Sequence, residues 1–127
     1  MNKIFSCKFA LTICAVVLAA ICLNMHINTE GVAGREFPNA SGDFHNIYRC
    51  IGSLMLAIAC ITFFAGRVED TKSQQLVLNG CILGFAVMFI TLGTMTVTEL
   101  ANITGGTIVF AVLTALCVYT RVRTKSD

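Results

Sequence analysis

The chain has 127 residues, of which 56% are hydrophobic and only 13% charged, with a mean hydropathy of +0.78 and a formal net charge of +2. A soluble domain carries about one quarter charged residues, so this balance excludes an ordinary water-soluble surface, and so small a net charge gives no reason to expect a nucleic-acid partner. The composition predicts a single integral membrane domain over residues 1–127.

Four apolar runs follow in chain order, at residues 4–23, 47–65, 76–97 and 103–119. About 20 residues of helix cross a hydrocarbon core of roughly 30 Å, and lipid satisfies no open backbone. The expectation is therefore an all-α membrane protein, a four-transmembrane-helix bundle. The first run opens with Lys3 and Lys8 and resembles a secretory signal. Ala19-Ala20-Ile21-Cys22 is a poor lipoprotein box, because Ile21 stands where a small residue is wanted, and a retained span is expected.

Residues 24–46 read as the one long connection, an outer loop holding the sole proline, Pro38, with Gly31, Gly34 and Gly42. Loops of that length are often functional or mobile. Asn39-Ala40-Ser41 and Asn102-Ile103-Thr104 match the glycosylation sequon and are read as coincidence.

The second run begins at "DFHNIYRCIGSL" and places Arg49 about one turn inside the span. A charge at the bilayer centre costs roughly 2.5–3.5 kcal/mol on insertion scales, less near the interface, where a long side chain reaches the headgroups. Two readings stand: a snorkelling Arg49, or an inward Arg49 held by a carboxylate. In the second, Asp43, His45, Arg49 and Glu99 form a polar cluster under the outer loop, able to bind an anionic or polar headgroup. Asp43 would cap the helix, His45 and Arg49 would share a face, and Glu99 would pair with Arg49.

In the third run Gly80 and Gly84 form a GxxxG pattern, and Ser53 and Ala57 supply small residues in the second. Small residues let helices approach closely. The expected contact is within one bundle, with a dimer face as the alternative. Ala111 and Ala115 carry the theme into the fourth run. Thr91, Thr94 and Thr98 share one helical face, where hydroxyls either bond back to their own helix or line a cavity. The five residues Thr98 to Asn102 make so short a link that the third and fourth spans must form an antiparallel hairpin. Gly105-Gly106 then opens the fourth span.

Basic residues set the orientation. Lys3, Lys8, Arg67, Lys72, Arg121, Arg123 and Lys125 would lie on one side and Arg35 alone on the other. The positive-inside rule then puts both termini in the cytoplasm, an even-numbered topology. The seven cysteines, at 7, 14, 22, 50, 60, 81 and 117, are scattered without a CxxC pair or metal-ligand spacing. They are read as small hydrophobes, with a Cys22–Cys50 bridge geometrically conceivable; no metal and no cofactor is expected.

The stretch "HNIYRCIGSLMLA" resembles the second helix of a small bacterial four-span family known as a domain of unknown function. His45, Asn46, Arg49 and Gly52 carry that resemblance, with Gly66-Arg67 and the third helix in register. The family's third helix ends in Gly-Arg, then Ser, then Asp-Gly, whereas here Gly93 precedes Thr94 and Glu99 is the nearby acid. More loosely, the layout is similar to DoxX-type four-helix proteins, some of them linked to quinone or thiol redox systems. The resemblance implies a four-helix membrane fold and brings no activity.

No nucleophile–base pair, phosphate-cradling loop or metal cluster is visible. The expected function is a non-enzymatic accessory or lipid/amphiphile-binding subunit of the bacterial inner membrane, with membrane lipids, a homo-oligomer or a larger complex as partners. The alternatives are a small oligomeric transporter or channel using the threonine face and Arg49, and a membrane redox partner acting through Cys22, Cys50 or His45.

Overall fold

The computed structural model describes residues 6–39, 42–99 and 101–124, the side chains at 42 and 43 excepted. Five helices follow in order: α1 (Cys7–Ile27), α2 (Thr29–Glu36), α3 (Gly42–Ala65), α4 (Thr71–Val97) and α5 (Thr104–Arg123). Four of them, all but α2, are long and apolar enough to cross a membrane. Their outward surfaces carry Leu54, Leu83, Ile90 and Val112, each at least 60% exposed. An apolar exterior of that extent is stable in lipid and not in water.

Local chemistry sets the helix ends. Ser6 caps α1 by accepting a hydrogen bond from the Phe9 backbone N–H at 3.2 Å. Asp70 caps α4, accepting from the N–H groups of Lys72 and Ser73 at 3.3 and 2.9 Å and from the Ser73 hydroxyl. These bonds, the Ser73 hydroxyl first, hold the Asp70 carboxyl below the usual carboxylate range. At the other end of α4, Glu99 adopts φ 58°. That left-handed conformation ends a helix readily when the residue is glycine and at a cost when it carries a Cβ.

The spans pair as two antiparallel hairpins, α1 with α3 and α4 with α5, as the short 98–103 link requires. Helix α1 lies between them and also touches α4 and α5, while α3 and α4 barely meet. The two ends of the described chain lie together: the Cys7 thiol donates to the Thr124 hydroxyl at 3.8 Å. We call this the termini end and the opposite one the α2 end.

The main core runs from the termini end to the middle of the bundle. Leu11, Cys14, Leu78 and Cys117 are fully enclosed there, with Leu18, Phe85, Phe110 and Leu113 around them. Helix α1 supplies much of this core and so packs as a structural member of the bundle. The Cys14 and Cys117 sulfurs lie 3.5 Å apart across the α1–α5 contact. All seven cysteines are free; Cys22 is buried and Cys50 exposed, so no bridge joins them.

Three expectations need correction. The 24–46 connection is not a plain loop, since α1 extends to Ile27 and α2 occupies Thr29–Glu36. Gly31 and Gly34 disguise α2 in the sequence, yet Glu30 in its first turn and Arg35 in its last suit the helix dipole, and Val32 and Ala33 are buried. The third and fourth spans are longer than expected, starting at Thr71 and ending at Arg123, because polar residues continue each helix beyond its apolar run. Gly80 and Gly84 make no close contact within the bundle: a Cβ built at either would meet no atom within 4 Å. The helix they would have met, α3, stands away from α4.

Candidate functional site

The α2 end is built differently from the main core. Helix α2 lies across the mouth of the bundle, with Val32 and Ala33 packed on Met25 and Tyr48. The Tyr48 hydroxyl donates to Glu36 Oε2 at 2.6 Å, a short bond to a carboxylate. Phe37 stacks on Phe44 with ring centroids 4.7 Å apart, and Tyr48 meets both rings at about 6 Å. The Asn102 backbone N–H donates to the Glu36 carbonyl at 2.9 Å, tying the end of α2 to the α4–α5 link.

Beneath this roof lies a cavity of about 520 Å³ between all four spanning helices. Met25, Met55, Met88 and Met95 line it, together with Leu92, Val109 and Phe110. The chain's other methionine is Met1. Thioether side chains are flexible and polarizable and adapt to irregular apolar ligands. Among the described lining residues the polar side chains are Asn24 of α1, Arg35 and Glu36 of α2 and Tyr48 of α3, all at the α2 end. The volume falls in the range of small-molecule sites, which are apolar with a few polar groups. A second recess of about 500 Å³ lies beside the mouth, between Phe37-Pro38-Asn39 and Thr96, Glu99 and Asn102.

Among the described residues, no hydrogen bond or ion pair joins His45, Arg49 and Glu99 of the expected polar cluster. Arg49 is exposed on α3, and its Nε donates to the Thr29 hydroxyl at 3.1 Å, clasping α2 to α3. Among the described residues no ion pair joins Arg49 to Glu99, which lies at the recess on the far side of Phe37. His45 is half-buried near the start of α3, and the Asp43 side chain lies outside the described residues. His26 of α1 meets α3 one turn further along, at Ser53, whose hydroxyl also donates to the Arg49 carbonyl at 3.1 Å. The His26 Nε2 lies 3.2 Å from the Ser53 hydroxyl, and its Nδ1 lies 2.9 Å from the Cys22 carbonyl.

Gly52 permits this approach, because a Cβ there would come within 3.0–3.2 Å of the His26 ring and Met25. Ser53 thus serves the α1–α3 contact, whereas Ala57 is exposed. Thr94 and Thr98 bond back to the carbonyls of Ile90 and Thr94 at 2.8 and 2.7 Å and face outward with Thr91, away from the cavity. Among the described residues, no group of three or more His, Cys, Asp or Glu side chains is placed to hold a metal ion.

Sequence reasoning missed Arg35, Glu36, Tyr48 and the four methionines. A faint signal was present: Met25, Met88 and Met95 fall toward the α2 end of the helices that carry them, and Met55 lies near the middle of α3. Their spacings follow no single helical period because they come from three helices.

Four helices long and apolar enough to span a membrane, with an apolar exterior, define an integral membrane protein of the helical-bundle class. No family model, curated protein or solved structure matches this chain.

Proposed function

We propose that the protein is a non-enzymatic binder of a membrane amphiphile, with the methionine-lined cavity as its site. The single observation that carries this reading is the cavity itself, about 520 Å³ of apolar space whose polar atoms gather at one mouth. An amphiphile has the same polarity profile. Its headgroup would meet Arg35 and Glu36, one cationic and one anionic side chain, and its apolar portion would lie among the methionines. The Tyr48 hydroxyl and the Glu36 carboxylate are already bonded to each other at the mouth, which suits them to holding a headgroup.

Location and orientation belong to the same proposal. Lys8, Arg67, Lys72, Arg121 and Arg123 fall at the termini end, and Arg35 with Arg49 at the α2 end. By the positive-inside rule that distribution supports a bacterial inner membrane with the termini in the cytoplasm and α2 outside.

Native mass spectrometry of the full chain, released from mild detergent after membrane extraction, tests the binding reading. The expected spectrum shows one retained amphiphile per chain, lost on Leu92→Trp, which fills the cavity wall. Melting temperature checks that the variant is folded. A ligand-free mass for the wild type, even with lysophospholipid supplied in excess, would refute the reading.

A further inference from the structure

The methionine cavity is not closed toward lipid. Where α3 and α4 stand apart, a second space of about 660 Å³ opens along the bundle side, and Met55, Met88 and Phe110 line both spaces. The two therefore adjoin at these three side chains, two of which are flexible thioethers. This side groove runs past Gly84 and Gly80 to Val77 on α4, and past Ile58 to Thr62 on α3. The only hydroxyl among its lining residues, that of Thr62, is already bonded to the Ile58 and Ala59 carbonyls of its own helix at 2.8 and 3.0 Å.

From Met95 at the upper cavity to Val77 at the foot of the groove is 18 residues of α4, about 27 Å at 1.5 Å per residue. That length approaches the roughly 30 Å of a whole hydrocarbon core, so the tract passes well beyond the midplane. Its upper end is polar at one mouth only, and its lower two thirds are apolar and open sideways to lipid.

We infer that the α3–α4 groove holds the hydrocarbon tail of a single-chain amphiphile whose headgroup lies at Arg35 and Glu36, and that the ligand enters laterally from the bilayer. This rests on the amphiphile-binding reading and adds the tail's path and length class. The tail is long, alkyl or isoprenoid, because the groove continues past the midplane. Gly80 and Gly84 form its floor. Open space above their Cα atoms, which made no sense as a contact inside the bundle, is the space the tail occupies.

Three probes with one headgroup test this on the full chain in detergent: octyl phosphate, octadecyl phosphate and geranylgeranyl phosphate, titrated and read by native mass spectrometry and by melting temperature. Wild type should bind at least one of the long probes about tenfold or more tighter than octyl phosphate. The tighter of the two long probes identifies the tail as alkyl or isoprenoid. Gly84→Leu should abolish the long-chain gain and leave octyl phosphate binding unchanged. It should fold normally, since its side chain enters open space, and Leu83→Trp, at a groove residue that is 70% exposed, should act in the same direction.

Equal affinity for short and long chains in wild type, or undiminished long-chain binding in both variants, would overturn the tail path while leaving the cavity reading intact. Binding of none of the three probes would overturn both. A change in the number of copies per complex on Gly84→Leu, with ligand binding unaltered, would assign the groove to a second copy of the chain and also overturn the proposal.

Discussion

The two ends of the bundle use a similar apolar vocabulary and pack it to opposite effect. At the termini end Leu11, Cys14, Leu78 and Cys117 have no exposed surface. Small side chains such as Ala10, Cys14 and Cys117 bring α1 and α5 together until two sulfurs touch. Toward the α2 end α1, α3 and α4 place Met25, Met55, Met88 and Met95 around open space, and a short amphipathic helix covers it. Close packing gives one end rigidity. Leaving it incomplete at the other gives a site, with the Tyr48–Glu36 and Arg49–Thr29 hydrogen bonds adding order to the small apolar cluster under α2.

The sharpest way to break this comparison is at Leu78. Leu78→Ala removes a fully enclosed side chain and is expected to cost about 2–5 kcal/mol, seen as a large fall in melting temperature in detergent. Met88→Leu in the cavity wall conserves volume and should cost less than about 1.5 kcal/mol. Comparable losses at the two positions would mean that the ends do not differ in packing.

Glu99 comes next. Its left-handed backbone suits glycine, and Glu99→Gly should gain about 1 kcal/mol by relieving the strain. A rise in melting temperature checks it. A fall would show that the carboxylate, beside the recess at Phe37, contributes something the backbone strain conceals.

The smallest effect is expected at Asp70, at the termini end and exposed. Its folded-state carboxyl titrates below its ordinary value, so the cap contributes fully above the ordinary carboxylate range and is lost as pH falls through the lowered value. Asp70→Ala should therefore lower the melting temperature slightly at neutral pH, and the two melting curves should converge in acid. A gap that persists at low pH would assign the stability to something other than the ionised cap.

Much of the architecture was legible residue by residue. The apolar runs located four spans, and the link from Thr98 to Asn102 forced the α4–α5 hairpin. The threonines at 94 and 98 bond to their own helix, one of the two readings their spacing allowed. The site was far less legible. Arg49 drew attention because an isolated cation in an apolar run is conspicuous, yet it lies outside the cavity and clasps Thr29. Arg35 and Glu36, which do reach the cavity, sit in a stretch whose glycines imitate a loop. Gly80 and Gly84 suggested a helix contact, and only the position of α3 shows that their faces are open.

The sequence by itself determined the solvent and the number of crossings, because a bilayer demands contiguous apolar segments and contiguity is a local property. Tertiary structure alone decided where the helices fail to meet. A cavity is the space left by side chains from four helices, and its shape depends on which pairs of helices pack and which remain apart.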